Sequence, residues 1–204
     1  MKKKLLYSFS VVALLFVCFL AIGASANSAE SVVPQGEPDP TYPNSSIPMK
    51  PGDVLYSSKS LGTSSPAFGH VGVVGPDLYI YHSNPFAPGA RDTIDEYMSR
   101  HKSKESITVL RYRYGSGTAP NAAAWAKNNY YRVKTYSIPL PPLNQLMGDV
   151  ETNYCSKFVW QAFYFGEGKD LHIGLNPNIR GTVTPSEIRS SSSLSLQGSF
   201  TVNH

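Results

Sequence analysis

The chain has 204 residues and carries 18 Lys and Arg against 14 Asp and Glu, a formal net charge of +4. Three of the basic residues, Lys2, Lys3 and Lys4, lie at the N-terminus, so the rest of the chain is near neutral, with 15 basic and 14 acidic side chains. This near-neutral balance gives no support for a class of protein that binds nucleic acid or an anionic membrane through overall positive charge.

The N-terminal segment has the three parts of a secretory signal peptide. The basic head is followed by an apolar run at 11–22 and by Ala24-Ser25-Ala26, which is a small-x-small cleavage pattern. The apolar run is shorter than the roughly 20 residues that span a bilayer, and a retained N-terminal anchor is the alternative. We therefore predict a signal peptide at 1–26, no stable transmembrane span after processing, and a secreted or cell-surface protein of a Gram-positive bacterium.

The remaining chain divides into an arm and one domain. Residues 27–50 hold five prolines and little apolar periodicity, which predicts a Pro-rich arm or linker. The folded domain is expected at 51–204, a length suited to one core. Its predicted elements are strands at 54–56, 71–74, 78–81, 107–114 and 199–202, and helices at 92–101, 120–130, 154–165 and 184–187. Early strands flanked by helices predict an α+β fold.

A single thiol, Cys155, remains once Cys18 has left with the signal peptide. It lies in the first turn of the helix predicted at 154–165, which Thr152 or Asn153 can cap and which Gly166 is expected to end. The positive end of a helix favours a thiolate, and the N–H groups there point toward a developing oxyanion. A small, inert core residue is the alternative for a free cysteine.

Two histidines lie at the ends of the predicted hairpin. His70 begins the first strand between Gly69 and Gly72, and His82 ends the second strand twelve residues later. A nucleophilic cysteine needs an imidazole within hydrogen-bonding reach. The antiparallel return brings His82 beside His70, where it can fix the tautomer and orientation of the ring. Solvated hairpin histidines are the alternative.

These motifs resemble the NlpC-type papain-like amidases and peptidases, in particular their circularly permuted, YiiX/YebB-like branch. Members carry a Gly-Asp strand entry, a His-Val-Gly motif and a third polar residue at the end of the next strand. This chain has Gly52-Asp53-Val54, His70-Val71-Gly72 and Tyr81-His82-Ser83 in that order. In the permuted branch a Tyr-Cys-Ser helix follows the strands, as Tyr154-Cys155-Ser156 does here. The likeness covers most of the chain after the signal peptide.

The resemblance implies a permuted papain-like fold, with an antiparallel sheet or small barrel packed against helices that include the Cys155 helix. It implies that Cys155 is the nucleophile, His70 the base and His82 the orienting residue. Tyr154 and Tyr56 are our candidates for substrate-binding residues that line the cleft. The expected reaction is hydrolysis of an amide or ester bond through a thioester, with no cofactor. The expected partner is a peptide or acyl-amide substrate, including peptidoglycan or lipid.

Three alternatives stay open. His70, His82 and His172 are candidate zinc ligands, although they lack His-x-x-x-His spacing and an acidic companion. The same fold can serve as a non-catalytic module that binds cell wall or lipid. A thioester can also be captured by a lipid or amine instead of water, which would make the protein a lipid acyltransferase.

Overall fold

The structure, a computed structural model, describes residues 39–59, 61, 69–139, 145–172 and 174–204. The predicted signal peptide at 1–26 and the first part of the predicted arm lie outside the described residues. The described residues belong to one unit, Pro38–His204.

An antiparallel sheet of six strands forms the centre of this unit. In the described part of the chain the strands are β1 (Val54–Ser57), β2 (His70–Val74), β3 (Ile80–His82), β4 (Ala90–Asp92), β5 (Ser106–Tyr112), β6 (Thr135–Tyr136), β7 (Gln145–Leu146), β8 (Thr152–Asn153), β9 (Arg180–Gly181) and β10 (Leu194–Thr201). The large sheet has the order β10-β5-β1-β2-β3-β4, while β6 pairs with β8 and β7 with β9. The sheet is open, with β10 and β4 at its edges, so the small barrel among our expectations is wrong.

Helices cover the sheet, which confirms the α+β class. They are α1 (Ile94–Ser99), α2 (Pro120–Asn129), α3 (Cys155–Ala162) and α4 (Pro185–Arg189). None of the helices in the described ranges is long and apolar enough to cross a membrane.

The alternation of side chains along β2 separates two buried clusters. Val71 and Val73 pack in the cluster that contains Cys155 and much of α2 and α3. Val74 packs in the other cluster, with Tyr97 of α1. Helix α3 lies directly against β2. The sheet therefore holds the start of α3 close to the start of β2.

The folded chain begins before the predicted boundary at Pro51. Tyr42 is fully buried, its ring stacks on Phe200 with 5.1 Å between centres, and its hydroxyl donates to Asp53 at 2.9 Å. An isolated β-bridge joins Thr41 to Pro48. Residues 39–50, which the sequence analysis assigned to the arm, thus pack on the domain. They do so through individual long-range contacts, which produce no periodic pattern of apolar residues in the sequence.

Local signals set the ends of the short helices. Thr93 caps α1 in a capping box with Glu96, as the sequence predicts. Thr184 and Glu187 form the same motif at α4. These caps require only residues three positions apart, so the sequence is sufficient to locate them.

The ends of α3 differ from the prediction. Tyr154 holds the N-cap position without a side-chain hydrogen bond, so neither Thr152 nor Asn153 caps the helix. After Ala162 the chain continues as a π-turn and stops at Gly168, which has a left-handed φ of 64°. Gly166 serves close packing instead, because a Cβ there would lie 2.5 Å from the Asn121 carbonyl oxygen on α2.

Candidate functional site

The β2–β3 hairpin brings His70 and His82 together. Val73 pairs with Tyr81, and Nε2 of His70 lies 2.9 Å from Nδ1 of His82. Gly72 leaves the space for this contact, because a Cβ at that position would lie 3.3 Å from Cβ of His82. The hairpin predicted from the sequence therefore produces the expected contact between the two imidazoles.

A carboxylate that the sequence analysis missed continues this chain of hydrogen bonds. Asp92 ends β4, which pairs with β3, and its Oδ2 lies 2.8 Å from Nε2 of His82. Arg100, at the C-cap of α1, binds the same carboxylate with its Nη2 2.8 Å from Oδ1. The sequence analysis placed Asp92 at the start of the helix predicted at 92–101, whereas the structure places it at the end of a three-residue strand, which is too short to recognise in the sequence.

These hydrogen bonds fix the tautomers of both imidazoles. Burial acts to raise the pKa of Asp92, but the hydrogen bonds from Arg100 and His82 outweigh it, so the pKa is lowered and the group is ionised. A carboxylate only accepts, so His82 donates from Nε2 and its Nδ1 accepts from Nε2–H of His70. The unprotonated nitrogen of neutral His70 is therefore Nδ1, which is the atom that can act as a base.

Both imidazoles are neutral at neutral pH. Burial lowers the pKa of His70 well below its usual value, and the neighbouring His82, His101 and Arg100 act in the same direction. Burial also lowers the pKa of His82, and Asp92 opposes that shift. His70 is thus in the protonation state that a general base needs.

Cys155 begins α3 beside the start of β2. Burial has the largest effect on the pKa of its thiol, and the nearby N–H groups of Val71, the residue directly after His70, and of Ser156 act in the opposite direction. Cys155 is only 4% exposed, and burial raises the pKa of its thiol more than these donors lower it. The expected lowering of the pKa is therefore wrong for the resting protein, because desolvation outweighs the helix N-terminus.

The two tyrosines predicted to bind substrate are buried in the same cluster as Cys155. The hydroxyl of Tyr154 accepts a hydrogen bond from the Val183 N–H at 3.1 Å, and burial raises the pKa of Tyr154 to about 12. Tyr56 lies on β1, with the guanidinium of Arg189 5.2 Å from its ring centre. Contact of either tyrosine with a substrate remains a prediction.

A second histidine–carboxylate pair packs against His70. Nδ1 of His101 lies 2.8 Å from Oε1 of Glu105, and the ring centres of His101 and His70 are 5.9 Å apart. Tyr97 contacts the rings of both His101 and His82, at 4.8 and 5.2 Å between centres. The sequence analysis missed this pair, because no pattern in the sequence predicts that the residues after α1 pack against the start of β2.

His172, the third candidate zinc ligand, lies beside α4 with its Nε2 3.3 Å from Oε1 of Glu187. Both ring nitrogens of His82 are engaged, one by His70 and one by Asp92. Among the residues that the structure describes, no group of three or more His, Cys, Asp or Glu side chains is arranged to hold a metal ion. This geometry does not support the zinc alternative.

Comparison with known proteins gives a likeness in structure but none in sequence. No family model matches the sequence, and no curated protein matches it. The structure is similar to the crystal structure of the metalloprotein YiiX from Escherichia coli O157:H7 (DUF1105), with a TM-score of 0.47 and 14% sequence identity. The matched region covers 73% of this chain and 96% of the YiiX chain.

Proposed function

We propose that the protein is a cysteine hydrolase that cleaves an amide or ester bond through a thioester at Cys155, with His70 as the general base. The observation that carries this proposal is the buried series His70–His82–Asp92, which begins on β2, the strand against which the Cys155 helix packs. A thiol, an imidazole and an orienting group are the parts that nucleophilic catalysis requires.

In the proposed reaction, Nδ1 of His70 takes the thiol proton as the sulfur adds to the carbonyl carbon and the carbonyl π-electrons move onto oxygen. As the carbonyl re-forms, the bond to the leaving nitrogen or oxygen breaks, and His70 gives the proton to the leaving group. Water then adds to the thioester with His70 as base, and cleavage of the C–S bond releases the acid and restores the thiol. The carboxylate of Asp92 stabilises the imidazolium formed in each transfer, and Arg100 holds that carboxylate in place. These steps use no cofactor.

The order of elements supports a permuted papain-like fold as part of the same proposal. The strands that carry His70 and His82 precede α3 in the chain, and α3 places Cys155 against β2. The signal-peptide pattern at 1–26 supports a secreted or cell-surface location. The substrate proposed for such an enzyme is a peptide or acyl-amide, including a peptidoglycan stem peptide or a lipid amide.

Replacing the nucleophile tests the proposed function. Cys155→Ala should reduce hydrolysis of p-nitrophenyl acetate by about 10³-fold or more, because the variant has no sulfur to form the thioester. Iodoacetamide labelling at position 155, located by peptide mapping, should disappear, while the circular dichroism spectrum stays that of the wild type. Retained turnover in Cys155→Ala would remove Cys155 from the mechanism.

The same assays separate the alternatives. A non-catalytic module would bind peptidoglycan or lipid vesicles equally well in both proteins, and neither protein would turn over the ester. An acyltransferase would pass the acyl group to an added amine or lipid in preference to water, which mass spectrometry of the products would detect.

Alkylation of Cys155 should depend on pH in a way that reflects its burial. Because burial raises the pKa of this thiol and only the thiolate reacts, labelling by iodoacetamide should be slow at neutral pH and should keep rising beyond the pH at which an ordinary thiol levels off. Protein unfolded in urea provides the control and should give the curve of an ordinary thiol. A folded-state rate that levels off below about pH 8 would contradict the raised pKa.

A further inference from the structure

A fully buried hydroxyl lies at the end of β3 without a hydrogen-bond partner. Ser83 directly follows His82, and its Oγ has no partner among the described residues. Most buried polar groups in proteins are hydrogen-bonded, so an unpaired hydroxyl is a cost to the folded state that a functional role can explain.

The hairpin keeps the end of β3 close to the start of β2. Val73 pairs with Tyr81, and among the described residues no further pair follows toward His70. A Cβ at Gly72 would still lie 3.3 Å from Cβ of His82, so the two strand ends stay adjacent where the pairing stops. Ser83 directly follows His82 and therefore lies beside the start of β2.

The alternation of side chains along β3 directs Ser83 to the side of the sheet that packs against the cluster containing Cys155. Tyr81 and Val71 pack in the cluster that contains Cys155, and Ser83 follows Tyr81 by two residues, which returns its side chain to the same face. The N–H of Val71 is also near enough to the Cys155 sulfur to act on the pKa of the thiol, which burial raises. Ser83 and the sulfur of Cys155 therefore lie at the same end of the sheet, beside the start of β2.

The turn after Ser83 holds it in place. The side-chain oxygen of Asn84 accepts hydrogen bonds from the N–H groups of Phe86 and Ala87, both at 2.9 Å. The hydroxyl of Ser83 is therefore carried beside a hydrogen-bonded turn, is fully buried, and is not bound to any other described group, so it is free to donate to an acceptor that enters the site.

Building on the proposed hydrolase function, we propose that Ser83 is a further catalytic residue, whose hydroxyl donates a hydrogen bond to the substrate carbonyl oxygen as it becomes an oxyanion. The sulfur of Cys155 forms the new bond to carbon, the π-electron pair moves to oxygen, and the Ser83 proton stays on its own oxygen throughout. The N–H of Cys155 at the start of α3 is the second donor to that oxygen.

Ser83→Ala separates this role from a structural one. We expect turnover of p-nitrophenyl acetate to fall by about 10²-fold, the loss typical of one oxyanion donor. The peptide aldehyde acetyl-Leu-Leu-norleucinal, which forms an oxyanion on Cys155, should bind more weakly to the same degree. Iodoacetamide labelling should keep its rate, because alkylation of the thiol forms no oxyanion. The melting temperature should stay equal or rise, since the removed hydroxyl had no partner.

A matched control is Ser156→Ala, also fully buried, whose hydroxyl donates to the Val183 carbonyl at 2.6 Å. That variant should lose thermal stability, which shows that the assay detects a bonded hydroxyl. Unchanged turnover in Ser83→Ala overturns the inference. Equal losses of turnover and alkylation, or a lowered melting temperature, also overturn it, because Ser83 would then act on the thiol or the fold. If turnover by the wild-type protein does not depend on Cys155, the proposed hydrolase function is refuted. The inference about Ser83 is then refuted with it.

Discussion

Asp92→Asn is expected to reduce turnover by about 10²- to 10⁴-fold, the range found when the carboxylate behind a catalytic imidazole is neutralised. The side chain keeps its shape and loses its charge. Without that negative charge, the positive charge of Arg100 beside the neutral imidazoles of His70 and His82 is no longer balanced. The imidazolium formed during proton transfer is then no longer stabilised.

The pH profile distinguishes this role from a structural one. In the wild type, the acid limb of kcat/KM should lie below the pKa of an ordinary histidine, because burial lowers the pKa of His70 and activity is lost only when that ring becomes protonated. In Asp92→Asn the limb should move to still lower pH, since the unpaired Arg100 disfavours a second positive charge. Turnover close to that of the wild type would exclude Asp92 from the mechanism.

Asp77→Asn is the matched control for this variant. Like Asp92, Asp77 accepts hydrogen bonds from an arginine and from an aromatic residue, in this case Arg91 and Tyr81. It lies at the partly exposed edge of the hairpin, away from the His70 series. Its neutralisation should leave turnover and the acid limb unchanged.

Asp53→Asn is expected to destabilise the folded state by about 3–5 kcal/mol, the cost of breaking a buried ion pair by removing one partner. Asp53 is buried, and both its oxygens bind Arg111, at 2.7 and 2.8 Å from Nε and Nη2. It also accepts from the Tyr42 hydroxyl at 2.9 Å and the Lys50 N–H at 3.0 Å. An asparagine has one oxygen and no charge, so Arg111 would be left with an uncompensated charge.

Urea unfolding at neutral pH measures this effect. Asp77→Asn again provides the comparison, because its ion pairs with Arg91 and Lys127 are partly exposed and pairs of that kind contribute about 1 kcal/mol or less. A loss for Asp53→Asn no larger than that for Asp77→Asn would show that the pair does not hold residues 39–50 on the sheet.

The sequence was informative where the interacting residues are joined by a short turn. The contact between His70 and His82 follows from one hairpin, which the sequence shows as two segments rich in β-formers around the turn Gly75-Pro76-Asp77. The caps at Thr93 and Thr184 follow from pairs three residues apart. Asp92 and Arg100 were missed because their roles depend on the contacts that the short strand β4 and the end of α1 make in the folded protein. The sequence shows no pattern for these contacts.

The sequence alone determined that one thiol follows two histidine-bearing strands, that the strands form a hairpin, and that the fold is α+β. Only the tertiary structure decided that the thiol is buried and has a raised pKa, that Asp92 and Arg100 extend the histidine pair, and that Ser83 is buried without a hydrogen-bond partner among the described residues. Hairpins and caps depend on residues a few positions apart, so local pattern is enough to predict them. Desolvation and the pairing of buried groups depend on everything that packs around a side chain, and that is settled only when the whole domain has folded.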